Sequence, residues 1–213
     1  MRVEFHPISV LREPFRHDDA LAWSRAKVVH IYLNPELPTE LAEVLAAHEL
    51  THEALTAEGY PVTALNKAFV RDAAWQDVRS RLVSSILNAV VGRRLEEYGF
   101  DLTPYHQRGV ENLMRGLESV KPEDVTPDAM RYNALVYLDY HLNAIPEGVK
   151  LLAAFLKRVP SPQWQLAEGV VGIVEEEGYD MPPRCLRAMV RVRDYLGLRN
   201  YVFVVDPRTN VHH

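Results

Sequence analysis

A mostly α fold of the α+β kind, with a small sheet near the front of the chain, is what the sequence predicts. Three observations carry it. A hydroxyl residue followed by proline, the sign of a capped helix start, recurs at Thr103-Pro104, Thr126-Pro127 and Ser161-Pro162. β-branched and aromatic runs are confined to three short segments, and Gly99, Gly178 and Gly197 stand where helices need a left-handed stop.

In chain order, Arg2–Ile8 reads as a strand, and so does Val28-Val-His-Ile-Tyr-Leu33, which Asn34-Pro35 stops. Good helix formers fill 41–55, with Thr39 as the expected N-cap. Gly59-Tyr60-Pro61 turns the chain into a long helical stretch over 71–98. Helices are predicted near 104–118, 127–143, 148–158 and 162–177. A last one, 183–195, would send Leu186, Met189, Val190 and Leu196 toward the core. Tyr201–Val205 is the third strand, ended by Asp206-Pro207. The chain of 213 residues reads as a single domain, 1–213, with 1–100 and 101–213 as a natural subdivision. Val159–Pro162 is the best local break between a front half and a helical back half.

Composition narrows the function. An apolar content of 47% and a net charge of −5 exclude a disordered chain. The longest clean apolar run, Leu151–Leu156, is far shorter than the roughly 20 residues a membrane span needs. Net charge −5 and a pI near 6.0 argue against nucleic acid as a partner; the preference for Arg over Lys reads as genomic bias. Cys185 is the single cysteine, so no internal disulfide forms. The N-terminus carries no secretory signal, and the cytoplasm is the expected address. No heptad seam is sustained, so the oligomeric state stays open.

The chemistry lies in the 41–55 helix, which contains His48-Glu49-Leu50-Thr51-His52. On a helix the two imidazoles fall one turn apart on one face, about 6 Å from each other, as two ligands of one tetrahedral zinc require. Glu49 sits 100° round the helix, near enough to reach a bound water and poorly placed to be a ligand. Both histidines accompany Leu41, Leu45 and Leu55 on or beside the apolar stripe, where unpartnered imidazoles are costly.

His48-Glu49-Leu50-Thr51-His52 resembles the active helix of zincin metallopeptidases, thermolysin-type enzymes in particular. The order of strand Val28–Leu33, Asn34-Pro35 and metal helix is similar to that of ImmA/IrrE-like peptidases. The resemblance covers about 28–90. It implies a zincin-like core, a peptide or protein substrate, and Glu49 as general base. It also implies that substrate pairs along the strand before the helix, here Val28–Leu33.

The third ligand has several candidates. A metzincin would use the position of Glu58, but Leu55 stands where that pattern needs glycine. A gluzincin takes a glutamate from a later helix. If the 71–98 helix lies antiparallel to the metal helix, the 1.5 Å rise per residue brings positions 76–80 opposite His52, and Asp77 is the acid there. Glu96 and Glu97 lie some 30 Å further along and would need a break, for which Gly92 is placed. The stripe Ser80, Ser84, Asn88 offers acceptors that orient a ligating imidazole. Tyr105, His106, Tyr140 and His141 are candidate oxyanion donors.

The sequence therefore predicts a zinc metallopeptidase with ligands His48, His52 and Asp77. Its alternatives are an inactive zincin-fold module that binds metal or a partner, and a helical interaction protein with incidental histidines.

Overall fold

The computed structural model describes residues 2–10, 20–25, 28–159 and 163–213. Among these run seven α-helices and six strands, the mostly α, α+β class predicted from sequence. The Ser161-Pro162 helix start lies outside the described residues. Two compact units divide the chain: Met1–Ala57 with Val91–Arg108, and Glu58–Val90 with Gly109–His213.

The first unit holds strands β1 (Arg2–Pro7), β2 (Ala20–Arg25) and β3 (Val28–Leu33) and helix α1 (Thr39–Ala57). It also holds the last turns of α2 (Ala73–Glu97) and the first of α3 (Thr103–Glu118). The sheet runs β1-β3-β2, with β1 parallel and β2 antiparallel to the central β3. Period-two alternation is plain in β3, where Val29 and Ile31 are fully buried between half-buried Val28, His30 and Tyr32. α1 packs on β2 and β3 and buries Leu41, Val44, Leu45, His48, Thr51 and Leu55, a stripe at helical spacing. Each fully buried aliphatic there is worth roughly 1.5–3 kcal/mol. The first helical bond of α1 runs from Ala42 N–H to Pro38 C=O (2.9 Å), so Pro38 takes the cap position expected of Thr39.

α2 ends as its sequence predicts. Gly99 has φ +87°; its N–H reaches Glu96 C=O (2.9 Å), and Phe100 N–H reaches Leu95 C=O (3.0 Å). In α3 the first helical bond runs from His106 N–H to Leu102 C=O (2.9 Å) and Asp101 Oδ1 accepts from Thr103 N–H (2.9 Å), so Leu102 takes the cap position expected of Thr103.

The second unit carries a sheet that was only partly foreseen. β4 (Val62–Leu65), β5 (Val202–Asp206) and β6 (Val211–His212) form an antiparallel sheet in that order, and only β5 was expected. Thr63 and Arg79 tie α2 to β4 reciprocally: the Thr63 hydroxyl donates to Arg79 C=O and Arg79 Nη1 donates to Thr63 C=O, each at 3.2 Å. Helices α4 (Pro127–Leu142), α5 (Pro146–Leu156), α6 (Gln163–Glu177) and α7 (Pro182–Tyr195) complete the unit.

Thr126 caps α4 as predicted, accepting from Ala129 N–H at 3.2 Å. The same helix ends on Ala144 at φ +52°, with Ala144 N–H on His141 C=O and Ile145 N–H on Tyr140 C=O. α7 buries Met189, and Leu196 just beyond it, as expected, but fills the rest of its stripe with Cys185, Ala188 and Val192 while Leu186 and Val190 are only half-buried. Near its end, the buried guanidinium of Arg193 grips Asp194 Oδ1 and the carbonyl of His213.

Candidate functional site

α1 delivers its histidines as the spacing predicts. The His48 and His52 rings lie 4.8 Å apart, edge to face at 74°. His48 is 7% exposed, while Glu49 and His52 are half-buried. His48 Nδ1 has no hydrogen-bond partner; the nearest acid oxygen, Glu49 Oε1, stands 3.6 Å away, beyond bonding distance. On the other side of the ring, Nε2 lies 3.5 Å from the hydroxyl of Tyr105, which the first turn of α3 places there. The helix hydroxyls do not serve the imidazoles. Thr51 donates to Ala47 C=O (2.7 Å) and Thr56 to His52 C=O (3.2 Å).

A buried, unsatisfied imidazole nitrogen costs roughly 1–3 kcal/mol. A ring that must present a nitrogen to a cation accepts that cost while the cation is away, so this donor set fits a soft-to-borderline metal. Acids from the sequence analysis are spread over both units. Asp77 and Glu58 belong to the second unit and are exposed; Glu96 and Glu97 belong to the first and are exposed.

Of the four expected oxyanion donors, Tyr105 meets His48, and His106 lies beside Tyr105 with ring centroids 5.7 Å apart. Tyr140 and His141 are in the second unit. Tyr140 packs against Gly148, and burial, aided by the Asp139 charge, pushes its hydroxyl up to about 12. His141 Nε2 pairs with Glu175 Oε1 at 3.0 Å. The polar stripe of α2 is engaged within its own unit. Ser84 donates to Ser80 C=O (2.6 Å), and Asn88 Nδ2 bonds both oxygens of Asp139 (3.1 and 3.2 Å). Arg81 (3.1 Å) and Asn143 (2.9 Å) meet the same carboxylate. Asp139 went unnoticed in the sequence; the signal was an acid directly after the buried run Ala134–Leu138.

The topology corrects one expectation. β3 is hydrogen-bonded to β1 on one side and β2 on the other, so no substrate strand can add along Val28–Leu33. Among the described residues, β1 and β2 are the edges of that sheet.

A second group with metal-ligating chemistry lies on the same sheet. Among the described residues, Glu4, His6 and His30 bring one ligand atom each within 4.8 Å of one another. Sequence reasoning missed it, although Glu4-x-His6 is the spacing that puts both side chains on one face of a strand.

No protein-family model, curated protein or solved structure matches the chain.

Proposed function

We propose that the chain is a zinc-dependent metallopeptidase with a zincin-like core, in which His48 and His52 hold the metal and an acid completes the protein ligands, Asp77 being the acid that the sequence favours. The observation that carries this reading is the buried His48 ring, one turn from His52, with Nδ1 unpartnered and Glu49 adjacent. When bound, zinc polarises the scissile carbonyl and makes a water molecule acidic enough to attack it near neutral pH.

The other roles fall to the chain itself. Glu49 accepts the proton of the attacking water and returns it to the departing amine, a task worth about 10²–10⁴ in rate. Tyr105, whose hydroxyl lies beside His48 Nε2, accepts from that nitrogen and so holds the ring with Nδ1 free for the metal. The proposed substrate is a peptide or protein, and the proposed address is the cytoplasm. No helix among the described residues is long and apolar enough to cross a membrane.

The test uses the purified chain, zinc chloride and fluorescein-labelled casein. His48→Ala should lose one bound zinc per chain. Glu49→Gln should keep that zinc and lose at least about a hundredfold in cleavage rate. Asp77→Ala should weaken zinc more than Glu97→Ala or Glu58→Ala, and the reverse ranking removes Asp77 from the ligand set. If zinc binds and the wild type cleaves nothing, the inactive metal-binding module replaces the peptidase. If His48→Ala leaves the zinc content unchanged, both readings fail.

A further inference from the structure

The geometry points to a second metal site, independent of α1, in which Glu4, His6 and His30 hold a zinc-class divalent cation across the β1–β3 pair. The strand register builds it. Glu4 stands directly opposite His30 in the parallel ladder, and His6 follows Glu4 by two residues, so all three side chains leave one face of the sheet. That is the face opposite Val29 and Ile31, whose side chains are buried.

Three donor atoms converge there. His6 Nε2 and His30 Nδ1 are 3.1 Å apart, and Glu4 Oε2 lies 3.5 Å from His30 Nδ1 and 3.8 Å from His6 Nε2. A triangle with those edges has a centre about 2.0 Å from every corner, which matches the zinc–nitrogen and zinc–oxygen distances of about 2.0–2.2 Å. Without an ion the two imidazoles share a hydrogen bond across the 3.1 Å edge, and a cation at the centre replaces it with three bonds.

The surroundings suit the assignment. Arg2 Nη2 holds the other carboxylate oxygen of Glu4, Oε1, at 3.1 Å, which turns Oε2 toward the histidines. Tyr32, opposite His6 in the register, stacks on its ring with centroids 5.1 Å apart and fixes the ring plane. The side chains of His6, Glu4 and His30 are 34%, 31% and 27% exposed, so an ion can enter and solvent can complete its coordination. Two imidazoles and one carboxylate favour zinc and its neighbours over magnesium or calcium.

The structural consequence is a clip. Among the described residues β1 pairs with β3 alone, and an ion shared by Glu4, His6 and His30 ties it to the centre of the sheet.

The site is tested on the full chain with His48→Ala/His52→Ala, which removes the α1 pair. Titrated with zinc chloride, this variant should still bind one ion per chain, and zinc should slow amide hydrogen exchange in Arg2–Pro7 at least several-fold. Cobalt chloride in place of zinc should give visible absorption bands from a low-symmetry N/O site. Adding His6→Ala and His30→Ala should abolish binding. Adding the isosteric Glu4→Gln, with far-UV circular dichroism confirming the fold, should weaken binding at least tenfold. A folded His48→Ala/His52→Ala chain that binds no zinc overturns the site, and so does binding unaffected by Glu4→Gln. Neither result touches the peptidase reading, which His6→Ala/His30→Ala tests separately: that variant should keep its α1 zinc, and its failure to do so would leave the sheet site standing alone.

Discussion

Replacing His48 with leucine should make the metal-free protein more stable and the zinc-loaded protein less so. In the absence of zinc, His48 buries Nδ1 without a partner, a burden of roughly 1–3 kcal/mol. Leucine is close to histidine in size and has no polar atom to satisfy. The substitution gives up the contact of Nε2 with the Tyr105 hydroxyl, which at 3.5 Å is the outer limit of a hydrogen bond and worth about 0.5 kcal/mol. The net gain is about 1 kcal/mol, or roughly 2–4 °C in Tm for a chain of this length.

Zinc reverses the order. At a free concentration one hundred times its Kd, a ligand that binds only the folded state stabilises by about 2.7 kcal/mol, and His48→Leu forfeits this at the α1 site. The assay is paired calorimetric melting of wild type and variant, in EDTA and in excess zinc chloride. The quantity read is the difference between the two proteins, which cancels stabilisation from zinc bound elsewhere. A variant that melts at or below the wild type in EDTA would show that His48 is held by ordinary packing. A difference that zinc leaves unchanged would refute its role as a ligand.

Other expectations concern the second unit. Ala144→Gly should raise the urea midpoint by the equivalent of about 0.5–1 kcal/mol, because a left-handed alanine costs roughly 1–2 kcal/mol and glycine returns part of that as unfolded-state entropy. Asp206 accepts from the Arg208 side chain at Oδ1 and Oδ2 and from its backbone N–H, and these bonds hold its carboxyl below the ordinary value of about 3.9. Its stabilisation is complete at neutral pH and fades as pH falls below about 4, so Asp206→Asn should be less stable than wild type at pH 7, by a margin that shrinks as denaturant titrations are taken to acid pH. Cys185 is fully buried, and desolvation pushes its thiol pKa up, so Ellman's reagent should leave it unmodified until the chain unfolds.

What the sequence made legible is what local chemistry determines. Helix starts and stops are written in neighbouring residues, and Thr126-Pro127, Gly99 and Gly197 behave as their types require. The His48–His52 spacing is equally local, since one helical turn fixes it. Pairing between distant residues is not written locally. β4 is four residues long and its partner β5 lies near the other end of the chain, so nothing around Val62 marks it as a strand. β2, Ala20–Arg25, has no β-branched run and draws its conformation from β3. The same holds for Glu4, His6 and His30, which only the β1–β3 register unites. Placing β3 at the centre of its sheet, with no free edge, also required the partners on both sides.

The clasp of Arg193 on the His213 carbonyl gives Val211–His213 more weight than exposed residues usually have. β6 and His213 are exposed, yet His213 exchanges backbone bonds with Val204 and supplies an acceptor to a guanidinium that is 2% exposed. Proteolytic trimming back to Asn210 would strip an outer strand and leave a cation in the interior with Asp194 as its remaining acid. Loss of these exposed residues would therefore be felt at a buried side chain in the last turn of α7.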